Sequence, residues 1–170
     1  MKKLLVLSDT HVNSEGVDEL MELLEPYFKD IDRIVHAGDI VCQELLNELE
    51  KYAPVDAVCG NMDPPALASM LPERAIIDWQ GRRIGIMHGW GSAGDLPRKV
   101  FERFCDSGSR PEVDVVIFGH SHQPLREFRS GTLLLNPGSP TDKRWAPFCS
   151  VAIITAGSHL DAEILRIPSA

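Results

Sequence analysis

"VVIFGHSHQP", residues 115–124, places four apolar residues directly before Gly119-His120-Ser121-His122. A short apolar run of this kind reads as a buried strand. His120 and His122 are one residue apart, so on an extended backbone both side chains leave on the same side. Neutral imidazoles placed together suit a divalent transition ion. A plain surface pair has the same spacing, and the meaning of the stretch therefore depends on what the other strands bring.

Each of the earlier apolar runs ends in a similar way. "LLVLS" (4–8) runs into Asp9-Thr10-His11. "IVHAG" (34–38) runs into Asp39, and "AVCG" (57–60) into Asn61 with Asp63 two residues on. "RIGIM" (83–87) runs into His88. Five apolar strands thus each deliver a metal-capable side chain at the carboxyl end. In parallel sheets those ends lie together, and that edge is where ligands bind. Glycines precede Asp39, Asn61 and His120, where they let the backbone turn sharply and crowd the site.

Between these runs the first half of the chain alternates strand and helix. "VDELMELLEPYFKD" (17–30) has Val17, Leu20, Met21, Leu24, Tyr27 and Phe28 at helical spacing, with Pro26 set to kink or end the helix. "QELLNELEKYA" (43–53) and "LPRKVFERFCDSG" (96–108) read as helices, and "MDPPALASML" (62–71) as a loop or short helix. "AIIDWQGRRIGIMHG" (75–89) reads as a hairpin turning at Gln80-Gly81. The last third is mostly strand: "GTLLLNPGS" (131–139), "CSVAIITAG" (149–157) and "HLDAEILRI" (159–167).

Composition narrows the partners. The 170 residues carry a net charge of −8, with no Lys/Arg-rich run, so the footprint of a long nucleic acid is missing. No apolar segment approaches the length of a membrane span. The four cysteines (Cys42, Cys59, Cys105, Cys149) form no C-x-x-C pair and read as buried thiols of a reducing cytoplasm. One domain over residues 1–170 is expected at this length.

The candidate ligands are Asp9, His11, Asp39, Asn61, His88, His120 and His122. This mixed oxygen and nitrogen set lacks thiolate. It suits Mn²⁺, Fe, Zn²⁺, Co²⁺ or Ni²⁺ better than Ca²⁺, and manganese is taken first. Seven ligands exceed the needs of one transition ion. They suit two ions sharing a carboxylate, roughly 3.5–4 Å apart. Two divalent ions with Asp9 and Asp39 leave the pocket near +2, which attracts phosphate.

"SDTH", "AGD", "GNMD", "MHG" and "GHSH" match, in order, the motifs of the calcineurin-like metallophosphoesterases. With the chain length and "NPGS" (136–139), the sequence most resembles the small bacterial and archaeal phosphodiesterases of the YfcE type, over residues 3–142 or so. The resemblance implies an α/β four-layer sandwich: two mixed β-sheets packed face to face, flanked by helices. It implies that Asp9, His11, Asp39 and His122 hold one metal, that Asp39, Asn61, His88 and His120 hold the other, and that Asp39 bridges. It also implies hydrolysis of a small phosphodiester or nucleotide by in-line attack of a metal-bound hydroxide, with Asp39, Asn61 and His88 as catalytic residues and Asn61 also touching the phosphate. The alternative is a non-catalytic scaffold or binding module of the Vps29 kind. Relatives of that kind show broken ligand sets, whereas here every ligand position is filled. Homo-oligomer formation is left open.

Two positions depart from the family pattern. Larger relatives place a leaving-group acid where this chain has Met62, and small relatives often carry a second His where it has Trp90. Trp90 is either a wall or stacking surface for substrate or part of a packed loop. His36 reads as a core or supporting histidine and His159 as a surface residue. Asp63 supports a ligand histidine or closes a turn. For Lys143 and Arg144, a solvated or structural role is favoured over reach to the substrate phosphate.

Overall fold

Leucine and valine alternate between two faces along the first strand, and this alternation sets the layers. The structure, a computed structural model, describes residues 1–157 and 159–168. In it β1 spans Lys2–Leu7. Leu4 and Val6 join a core that also takes Ile84, Ile86, Val115, Ile117, Leu133 and Leu135 from the opposite sheet. Leu5 and Leu7 face the other way, onto helical residues such as Leu20, Leu24, Leu45 and Leu49. With every one of these side chains buried, burial at ~25 cal/mol per Å² of apolar surface is the main force holding the layers together.

The first sheet contains β1, β2 (Arg33–His36), β3 (Val55–Ala57), β9 (Ser150–Ala156) and β10 (Leu160–Arg166), in the order β10-β9-β1-β2-β3. The second contains β4 (Arg74–Trp79), β5 (Arg82–Met87), β6 (Val115–Ile117), β7 (Leu125–Arg129) and β8 (Thr132–Asn136), in the order β4-β5-β6-β8-β7. Both are mixed: β1, β2 and β3 run parallel, as do β5, β6 and β8. Helices α1 (Val17–Leu24) and α2 (Gln43–Leu49) cover the first sheet. Helix α4 (Leu96–Glu102) covers the second through Leu96, Val100 and Phe101. This is the expected four-layer α/β sandwich, and the carboxyl ends of β1, β2, β3, β5 and β6 meet at one end of it.

Local chemistry explains where elements stop. Past α1 the chain tightens into a 3-10 turn over Glu25–Tyr27, because Pro26 has no N–H to continue the ladder. The hairpin turns at Gln80-Gly81, both left-handed (φ 52° and 73°), with Trp79 opposite Arg82. Helix α3 is only Pro65–Ala68. The expected helix over 96–108 stops at Glu102. There the Asp106 carboxylate accepts the Gly108 and Arg110 amides and folds the segment into a loop instead. Strand β7 was absent from the expected elements. It is a partly exposed edge strand whose charged residues interrupt the apolar signal. The cysteines are half-buried rather than buried, and all are free thiols.

Candidate metal centre

The loops past these strand ends hold unusual backbone. Asp9, His11, Asp39, His120 and His122 all have positive φ, between 48° and 69°. Such conformations cost non-glycine residues energy and cluster at functional sites. The glycines make the crowding possible. A Cβ on Gly60 would lie 2.2 Å from Asp39 Oδ1, and one on Gly119 would lie 1.8 Å from Ser8 Oγ. Neither position admits a side chain without moving a candidate ligand or its support.

Asp9 and Asp39 are buried. Asp9 Oδ2 accepts hydrogen bonds from Ser8 Oγ (2.7 Å) and the His120 amide (3.0 Å). Its Oδ1 lies 3.3 Å from His122 Nε2 and 3.9 Å from both His11 Nε2 and His88 Nε2. Asp39 Oδ1 accepts the Met62 amide at 2.8 Å. Its Oδ2 lies 3.3 Å from His88 Nε2 and 3.5 Å from His11 Nε2.

Backbone carbonyls orient the histidines. His88 Nδ1–H donates to Ala37 O (2.7 Å), His122 Nδ1–H to Asp142 O, and His120 Nε2–H to Gly91 O (3.1 Å). With the tautomers assigned from these acceptors, the inward nitrogens are left as bare lone pairs. His88 Nε2 is buried and has no hydrogen-bond partner. His122 Nε2 lies 3.1 Å from His11 Nε2, and His120 Nδ1 lies 2.9 Å from Asn61 Oδ1. With these tautomers, His88 Nε2 and His122 Nε2 present lone pairs to the Asp39 and Asp9 carboxylates, and a cation between them removes the repulsion. The donor set therefore fits divalent ions.

Among the described residues, two groups of side chains could hold an ion, Asp9–His11–His122 and Asp9–Asp39–His88, each with ligand atoms within 4.8 Å of one another. Asn61 and His120 form a third pair at the exposed side, with the His120 ring edge-on to His88 at 5.3 Å. All seven expected residues are thus brought to one place. Trp90 stands on the same rim, 44% exposed, next to the Gly91 carbonyl that holds His120.

Charges respond to this arrangement. Burial depresses the His88 imidazole, but Asp39 and Asp9 outweigh it and its pKa lies above the ordinary value. Burial also depresses His122, and Asp9 again reverses the sign. At His11 burial prevails and the pKa is lowered, with Arg144 adding to the effect. Burial raises Asp39, yet its contact with His88 brings the carboxyl below its usual range.

Several supports were not foreseen. Asp63 accepts the Ile40, Val41 and Gly60 amides, each at 2.7 Å. It ties the Asp39 loop to the Asn61 loop and touches no ligand histidine. Asn136 of the "NPGS" segment donates to Gly119 O (2.9 Å), and Ser139 Oγ donates to Asp9 O (2.7 Å). The quoted motif was the signal, and its role is to brace the Asp9 and His120 loops. His159 is exposed, as expected.

His36 is fully buried, with Nε2 3.1 Å from Thr10 Oγ1 and Nδ1 without a partner. It is a core histidine supporting the Asp9–His11 segment. Burial pushes its pKa down to about 3 from 6.5. The folded state therefore keeps His36 neutral, and its stabilisation is full above pH 6.5 and is lost as pH falls toward 3. By about pH 5 the loss is on the order of 2 kcal/mol. Urea unfolding of the wild type and His36→Gln at about pH 7.5 and pH 5 should show a shallower pH dependence in the variant. Equal slopes would assign the acid sensitivity elsewhere.

Residues 1–159 match the calcineurin-like phosphoesterase superfamily domain. A probable metallophosphoesterase of Methanothermobacter thermautotrophicus is 36% identical over 161 residues, covering 95% of this chain and 90% of the relative. A phosphodiesterase of Methanocaldococcus jannaschii is 27% identical over 143 residues, covering 80% of this chain and 82% of the relative. Among solved structures, Vps29 of Entamoeba histolytica, complexed with Zn²⁺, superposes with a TM-score of 0.70 at 22% identity, covering 98% of this chain and 99% of that one.

Proposed function

The chain belongs to the calcineurin-like phosphoesterase superfamily, and from that premise we propose that it is a metal-dependent phosphodiesterase acting on a small phosphodiester or nucleotide. The observation that carries this reading is the bare, buried His88 Nε2 aimed at Asp39 Oδ2 from 3.3 Å. A lone pair facing a carboxylate in a dry site is repulsive; a proton on the imidazole relieves this, and so does a metal ion, for which Asp9 and Asp39 stand beside His88 as further ligands.

Asp9, His11, Asp39 and His122 hold one ion in this reading. Asp39, Asn61, His88 and His120 hold the other. Manganese is the first choice for both. Bound there, the ions supply a water of lowered pKa and polarise the phosphoryl oxygens. The chain's own residues set the geometry. Carbonyls of Ala37, Gly91 and Asp142 fix three imidazoles, and Asp63 locks the Asp39 and Asn61 loops together. Asn61, exposed beside His120, also orients the phosphate, and Trp90 walls the pocket. The whole chain, 1–170, acts as one domain in the cytoplasm. Among the described residues no helix is long and apolar enough to cross a membrane.

The test strips the protein with chelator, reloads it with Mn²⁺, Fe²⁺, Zn²⁺, Co²⁺ or Ni²⁺, and measures bound metal together with turnover of a diester panel. Turnover that appears only on reloading supports the enzyme. Two bound ions with no turnover of any diester would favour a scaffold like Vps29 instead.

A further inference from the structure

The turn after "NPGS" carries a cation that the metal centre does not use. Arg144 Nη1 lies 3.5 Å from the His120 carbonyl, and Nε lies 3.6 Å from Asp142 Oδ2. Its charge reaches both His11 and His122. Its side chain is 43% exposed, whereas those of Asp9 and His122 are fully buried. Arg144 therefore stands one layer outside the floor of the site, at its mouth.

The turn is built rather than loose. Ser139 Oγ accepts the Asp142 amide at 2.9 Å, Thr141 Oγ1 donates to Thr10 O at 2.7 Å, and Asp142 Oδ1 accepts the Arg144 amide at 3.1 Å. Arg144 itself has a left-handed backbone, with φ 45°, a conformation that arginine adopts at a cost. A guanidinium has five N–H donors in a planar fork. Here two long contacts leave most of that fork open to solvent.

A fixed cation beside a cationic centre is repulsive unless an anion lies between or beside them. Charge counting indicates which anion. Two divalent ions with Asp9 and Asp39 leave +2, and a bound diester reduces this to +1. Asp142 offsets Arg144 in the count, so about +1 remains, and a second phosphate group, near −2 at neutral pH, more than neutralises it. The buried floor takes the scissile phosphate, so the rim cation meets a group attached further along the substrate. Trp145, 91% exposed on the same turn, gives that substituent an aromatic neighbour.

Building on the phosphodiesterase reading, we propose that this turn is a second subsite, in which Arg144 binds a second phosphate group of the substrate. Preferred substrates are diesters that carry a further phosphate monoester, such as a nucleoside 5′-phosphodiester that also bears a 3′-phosphate.

The experiment compares the p-nitrophenyl ester of thymidine 5′-phosphate with the same compound bearing a 3′-phosphate, using the Mn²⁺-loaded protein. Calorimetry with thymidine 5′-monophosphate and thymidine 3′,5′-bisphosphate gives a readout independent of turnover. The wild type should favour the 3′-phosphorylated partner of each pair by about ten- to a hundredfold. Arg144→Gln should lose that preference, chiefly in KM, and Arg144→Lys should recover part of it as a point charge. A wild type with no preference, or an Arg144→Gln variant that keeps it, overturns the subsite. Lost preference in calorimetry, with neither ester hydrolysed, supports the subsite and removes the phosphodiesterase reading. Brisk hydrolysis of both esters without preference does the reverse.

Discussion

Asp39→Ala should lose both metal ions and lower diester turnover on the order of a thousandfold or more. That exceeds the ~10–100-fold cost of removing a group that only orients a ligand. The expectation rests on one oxygen. Asp39 Oδ2 lies 3.3 Å from His88 Nε2 and 3.5 Å from His11 Nε2, between imidazoles assigned to different ions. Asp9 Oδ1 also faces both, but at 3.9 Å, and sits closest to His122 at 3.3 Å. The shorter pair of distances favours Asp39 as the proposed bridge, whereas Asp9 is the residue common to both groups of side chains that could hold an ion. Elemental analysis after dialysis separates the alternatives. Asp9→Ala should keep one ion, held by Asp39, Asn61, His88 and His120. Asp39→Asn is the companion variant, because it keeps an acceptor for the Met62 amide while removing the charge. If Asp39→Ala retains two ions and Asp9→Ala retains none, the bridge is Asp9.

The candidate site was legible because the candidate ligands are side chains at the ends of apolar runs, and both features are written in residue types. Asp9, Asp39, Asn61, His88 and His120 follow strands whose alternation also marks the layers, as Leu4 and Val6 part from Leu5 and Leu7. Gly60 and Gly119 were legible for the same reason, since only glycine fits against Asp39 and Ser8. What orients the ligands was not legible. The carbonyls of Ala37, Gly91 and Asp142 hold three imidazoles, and a carbonyl leaves no trace in residue identity. Asp63 read as an ambiguous turn residue, because its work is done on three amides contributed by two loops. Arg144 read as solvated, and only the tertiary fold brings it to the His120 carbonyl. Strand β7 escaped because an edge strand with charged faces lacks an apolar run.

Diester turnover should depend steeply on the pKa of the departing group, because the site offers no proton to it. Met62 stands where larger relatives carry the leaving-group acid. Met62 is 56% exposed, its thioether cannot donate, and its amide is committed to Asp39. Trp90 has no acidic proton to give at neutral pH. Asp63, next in sequence, has both oxygens engaged by three amides. General acid help is typically worth about 10²–10⁴-fold, and its absence penalises poor leaving groups most. Aryl diesters such as bis(p-nitrophenyl) phosphate should therefore turn over well and alkyl esters poorly. Met62→His should improve the poor leaving groups selectively, by about tenfold. The gain stays below the usual range because Asp63, engaged on both oxygens, is not free to orient the new imidazole. The measurement is kcat/KM across diesters of phenols with graded pKa, for the wild type and Met62→His. A flat dependence in the wild type would mean that another group already delivers the proton. His120 would be the first to examine, since its ring reaches the exposed side of the site beside Asn61.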